Sequence, residues 1–164
     1  MPVDRKTVTG RRKLRFDSFD AMLLDAEHLV SSPGVRTLGN WPLGNLLTHL
    51  AAAMNLSVEG IPFKAAWYIR LLGPRIKRRV LAKGMSPGFN LPRSRDRGAF
   101  PEPASPQVAL ESLRAAVSRV QREQMTATHP VFGRLTHDEW SQFHLRHAEM
   151  HLSFAVPADV SAAV

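Results

Sequence analysis

The chain has 164 residues, 44% of them hydrophobic and 22% charged, which suits one domain with its own core and is too apolar for a disordered segment. Its formal charge of +8 is unevenly placed: six Lys or Arg fall in residues 5–15, ten in 64–97 and six elsewhere. No cysteine is present, so disulfides and thiolate ligands are excluded and a metal would have to rest on His, Asp or Glu.

The basic N-terminal segment, residues 1–16, lacks the apolar run of a secretory signal, and no stretch approaches the roughly 20 apolar residues of a spanning helix. A cytoplasmic protein is expected. Asp17 is placed to cap a first helix, in which Phe19, Met22, Leu23, Ala26, Leu29 and Val30 repeat at helical spacing until "SSPG" ends it. A second helix follows in "NWPLGNLLTHLAAAMNLSVEG", with Asn40 as its cap, Pro42 in the first turn and Gly60 as its stop.

Residues 61–104 read as a basic insertion: two short helical pieces broken at Gly73 and Pro74, then a Pro- and Gly-dense stretch with little regular structure. Ser105 and Pro106 open a third long helix with Val108, Leu113, Val117, Val120 and Gln124 on or near one face. Thr136 and Glu139 stand at capping-box spacing before a last helix expected to run to Pro157, leaving 157–164 as a tail. No useful period-2 alternation occurs. The expectation is a single all-α domain over 1–164, a four-helix bundle with helices near 18–47, 105–128 and 137–156, the first range holding two of them.

The last helix carries "HLRHAEMHLSF". Trp140, Phe143, His144, His147, His151 and Phe154 share its core-facing stripe, while His49 sits among leucines of the second helix. Taken singly, each is an ordinary buried neutral histidine. Together, His49, His147 and His151 are candidates for a three-nitrogen metal site: two imidazoles four residues apart chelate one ion, and a third comes from another element. His144 is a candidate fourth ligand or, since it lies two turns from His151, an outer partner.

"NWPLGNLLTHLA", with Trp41 eight residues before His49, and "HPVFGRLTHDEWSQFHLRHAEMHLSF", with the pair His147 and His151, resemble the two metal-binding signatures of the DinB/YfiT-like superfamily. The nearer likeness is to its uncharacterised branch, in which "HPxFGxLTxxEW" precedes the last helix. The architecture is similar over residues 17–156, and the motifs cover 38–60 and 129–154. The resemblance implies an up-down-down-up four-helix bundle with one divalent metal on His49, His147 and His151. It also implies a thiol-dependent S-transferase or isomerase activity, or the hydrolase activity attributed to other members. The chain departs from the pattern in His144 and in its basic insertion.

Other residues carry plainer readings. His28 and His129 are expected at the surface or in a loop, and His137 as a neutral solvated ring in a helix's first turn. Asn45 either holds an imidazole or a water, or is simply exposed. Glu149 is expected to face solvent and is not a candidate base. In the insertion, Trp67, Tyr68, Ile69, Leu71 and Leu72 mix with Lys77, Arg78 and Arg79. That mixture suits an anionic membrane or a nucleic-acid backbone, an acidic group of a substrate, or, as the favoured reading, a solvated flap covering one end of the bundle with its apolar residues.

The functional expectation is a metal-dependent transferase or hydrolase whose nucleophile is a metal-activated thiol or water. The thiol would come from a low-molecular-weight co-substrate, and His144 would serve as a proton relay. Zinc or nickel is expected in a purified sample, with iron or manganese as cellular alternatives. The rival is a non-catalytic module that uses the basic segments on nucleic acid or anionic membrane. The substrate is an unidentified small molecule, and assembly as a homodimer is left open.

Overall fold

The computed structural model describes residues 3–62, 65–87 and 104–158. The irregular second half of the 61–104 insertion and most of the 157–164 tail therefore lie outside the described residues. The chain is mostly helical. Among the described residues there are five helices and four two-residue strands: α1 (Phe19–Ser31), β1 (Arg36–Thr37), α2 (Leu43–Glu59), α3 (Trp67–Lys83), α4 (Pro106–Arg122), β2 (Thr128–His129), β3 (Gly133–Arg134), α5 (His137–Leu152) and β4 (Ala155–Val156).

The helix starts follow side-chain capping, with two corrections to the sequence reading. The Ser18 hydroxyl, not Asp17, caps α1 by accepting the Ala21 amide at 3.1 Å. Asn40 does not cap α2. Pro42 takes that position, and the Asn40 amide instead exchanges two hydrogen bonds with the backbone of Val3, at 2.7 and 3.0 Å. Ser105 caps α4 and Thr136 with Glu139 forms the capping box of α5, both as the spacing requires.

The core lies between these helices. α2 packs most extensively on α4, with α1 against α4 and α5 against α2. Met22, Leu29, Leu47, Leu50, Leu113 and Trp140 are fully buried between them. Gly44 is needed where α2 meets the chain entering α4, since a Cβ there would overlap the Ala104 carbonyl. The buried face of α4 is Ala109, Leu110, Leu113, Ala116, Val117 and Val120. Val108 is 60% exposed and Gln124 lies beyond the helix, so the expected stripe was displaced at both ends.

The insertion holds the largest departure. Residues 67–83 form one continuous helix, not two pieces. Gly73 is buried because α3 passes so close to β3 that a Cβ would collide with the Val131 carbonyl, and Pro74 lies on the exposed side, where water can take the carbonyl it frees. Lys77 pairs with Glu139 at 2.6 Å, and this cation holds the Glu139 carboxyl below its usual range. The favoured flap holds only in part: Val80 and Leu81 of α3 pack against the core, but Trp67, Tyr68, Leu71 and Leu72 are all exposed.

α5 ends at Leu152, five residues before Pro157. The chain turns at Ser153 and Phe154 and pairs as β4 antiparallel to β1, with Arg36 opposite Val156 and Thr37 opposite Ala155, and Leu38 N–H donates to Phe154 O at 2.8 Å. The second ribbon pairs β2 with β3. No described helix is long and apolar enough to cross a membrane.

Candidate metal centre

Two helices and one ribbon build the site. α2 presents His49 and the last two turns of α5 present His147 and His151, while the β1–β4 ribbon anchors the loop that carries Trp41. His49 Nε2 lies 3.2 Å from His147 Nε2, and His151 Nε2 lies 3.0 Å from that same atom. One ring nitrogen from each of the three falls within 4.8 Å of the others. The ring planes are splayed by 62–76°, so the nitrogens converge while the carbon edges diverge.

Aromatic packing sets the ring orientations. Trp41 stacks parallel on His151, with centroids 5.6 Å apart, and meets His49 edge-on at 5.0 Å. Phe143 stacks on His147 from the other side. The Nδ1 atom of His147 is buried with no hydrogen-bond partner, so stacking rather than a second hydrogen bond orients that ring.

The electrostatics keep the cluster neutral. Burial is the main cause that pushes His147 well below the ordinary imidazole pKa, followed by the neighbouring His151 and His49. Burial does the same for His151, reinforced by His49 and by the cations of Arg5 and Arg11. Neutral imidazoles present lone pairs, as a metal requires. His147 is buried while His49 and His151 are half-buried, so the cluster is reached from one side.

The remaining candidates fall elsewhere. His144 is 1% exposed, stacks on Trp140 and sets Nε2 3.1 Å from the Ser57 hydroxyl on α2. That hydroxyl donates to Met54 O, so it accepts from His144. His144 thus stands outside the three-ring group, and its pKa is lowered to about 3 by burial and then by His129. His129 is no plain loop residue: its ring stacks on Phe132, and its Nδ1 accepts the amides of Val131 and Phe132. Burial lowers its pKa to about 3 as well. His28 is exposed as expected, whereas His137 is half-buried with its Nδ1 near the Met125 amide. Asn45 is also half-buried, and its Oδ1 is buried without a partner.

Glu149 does not face solvent. It is buried, accepts the Phe16 amide at 2.7 Å and lies 3.1 Å from the Arg146 guanidinium, which itself donates to Phe16 O. Burial raises its pKa. This buried pair clasps the N-terminal arm, whose role the sequence reading missed. Arg12 reaches Ala155 O and Leu152 O and pairs with Asp25, while Arg11 bonds Ser153 and lies 4.3 Å from the Phe154 ring centre. The only advance signal was the charge run at 5–15, because nothing local shows that its partners lie some 140 residues away.

The molecule is thus a mostly helical chain whose α2 and α5 bring three neutral histidines to one point able to accept a divalent ion. It belongs to the family described as "Protein of unknown function (DUF1569)", which matches residues 8–158. No curated protein and no solved structure matches it.

Proposed function

We propose that the protein is a metal-dependent transferase or hydrolase that holds one divalent ion on His49, His147 and His151. In this reading α1, α2, α4 and α5 form the up-down-down-up bundle of the DinB-like proteins, and α3 decorates it. The observation that carries the reading is the convergence of three neutral imidazole nitrogens from two helices. Lone pairs aimed at one point suit a cation better than they suit one another.

Three neutral ligands would leave the ion its full charge, and such a centre supplies Lewis acidity that brings a coordinated water or thiol toward deprotonation near neutral pH. The residues around it do the rest. Trp41 and Phe143 hold the imidazoles in place and exclude water from two sides, while Arg5 and Arg11 add positive field on the side of His151. That field favours an anionic substrate or a thiolate over a cation. His144, expected as a proton relay, serves here to fix α5 against α2 through Ser57, since a ring held near pKa 3 stays neutral at working pH.

Elemental analysis of untagged protein tests the site. Zinc or nickel near one per chain is expected in the wild type, and a near-complete loss in His147→Ala and His49→Ala. The same sub-stoichiometric metal in all three preparations would sink the proposal.

A further inference from the structure

α3 is attached to the body along one narrow line. Ile69, Gly73, Lys77, Val80 and Leu81 face inward, with Gly73 against the Val131 carbonyl, Lys77 on Glu139 and Val80 and Leu81 on the core. The outer face is divided along the helix axis. Its first two turns expose Trp67 at 75%, Leu71 at 72%, Tyr68 and Leu72, and Ile76 extends the patch. Arg70 is exposed among these apolar residues, the second half of the helix exposes Arg75, Arg78, Arg79 and Lys83, and the whole helix contains no Asp or Glu.

We propose that α3 docks the protein on an anionic lipid surface, its apolar half entering the boundary between headgroups and acyl chains and its basic half meeting the phosphates. Both halves are needed for the argument. Clustered large apolar side chains rimmed by charge mark an interaction surface rather than ordinary solvent-facing helix. Trp and Tyr favour the interfacial depth, and arginine stems lie along apolar surface while their heads stay in water. Charge complementarity selects the partner, because a cationic helix without acids is attracted to anionic headgroups.

A nucleic-acid backbone would use the arginines but has no call on Leu71 and Leu72. A second copy would use the leucines but would bring like charges together. Lipid accounts for both, and the dock would leave the histidine cluster, on other helices, open to solvent.

The test is co-sedimentation with vesicles of phosphatidylcholine alone and of equal parts phosphatidylcholine and phosphatidylglycerol. Binding is expected only to the second and should weaken steeply with added salt. Leu71→Ser with Leu72→Ser should reduce it about a hundredfold, as should Arg75→Glu, Arg78→Glu and Arg79→Glu together. Helical circular dichroism and metal content should be unchanged in both variants, since these side chains point away from the body. Equal binding to both vesicles, or variants that bind like the wild type, would overturn the proposal. So would failure to bind vesicles in a protein that retains salt-sensitive duplex DNA, or one that sediments as a dimer dissociated by the serine pair.

Discussion

Replacing His144 by Phe should change the sign of its effect with pH. The ring is buried between Trp140 and Ser57, and Phe keeps most of its volume and its stack. At pH 7 the variant loses one hydrogen bond to Ser57, which costs about 1 kcal/mol. In acid a larger quantity is at stake. The folded ring takes a proton only near a pKa of about 3, against about 6.5 when unfolded. Between these values the unfolded chain binds more protons, so this contribution is intact above about 6.5 and is lost as the pH falls toward 3. Linkage across that window puts the loss at about 2.5 kcal/mol between pH 7 and pH 4.5. His144→Phe escapes it, and should therefore be about 1 kcal/mol less stable at pH 7 and about 1–2 kcal/mol more stable at pH 4.5. Denaturant titrations of metal-free protein at the two pH values measure this directly, since the carboxylates and other histidines contribute to both proteins and cancel to first order. Parallel stability curves, with no crossing, would show that the buried imidazole is not what resists protonation.

Two further outcomes test how the outer elements are held. Glu149→Gln keeps an acceptor for the Phe16 amide but strips the buried Arg146 of its counter-charge, which should cost about 3 kcal/mol and open the N-terminal arm to proteolysis; an unchanged melting temperature would show the pair to be dispensable. Gly73→Ala sets two effects in opposition. Helix propensity favours Ala by about 1 kcal/mol, while a Cβ overlapping the Val131 carbonyl should cost about 1–3 kcal/mol by displacing α3. Net destabilisation is expected in thermal melts, and net stabilisation would mean that α3 is not seated where Gly73 requires.

The helices that build the site were legible because each carries its own punctuation and periodicity. Ser105 with Pro106, the Thr136–Glu139 capping box and the Gly60 stop are local signals, and the structure uses all three as read. The grouping of His49 with His147 and His151 was also legible, from i,i+4 spacing and a third imidazole on an apolar face. What escaped depends on distant partners. Glu149 sits at a position that a helical wheel assigns to solvent, yet the N-terminal arm covers it. Gly73 and Pro74 signal a break until the Val131 carbonyl supplies a reason for Gly73 to lie inside a helix. The turn after Leu152 is set by pairing with β1, more than a hundred residues earlier, and Ser18 displaced Asp17 by a one-residue shift in cap geometry.

The ties among Arg12, Phe16, β1 and the end of α5 have a consequence for the order in which the chain can assemble. The backbone of Arg12, Phe16 and β1 takes its hydrogen-bond partners at 146–156, so during synthesis the N-terminal arm and β1 emerge first and must wait for nearly the whole chain. The contacts of α1, α2 and α4 can form earlier, over shorter loops. A ribosome-bound fragment ending before α5 would thus carry His49 as a single imidazole beside an unpaired strand. The three-histidine cluster would come into being in one late step, together with closure of the β1–β4 ribbon. A half-built chain could therefore neither capture an ion prematurely through this cluster nor hide its β1 edge, which makes the interval before α5 emerges the one most exposed to mispairing.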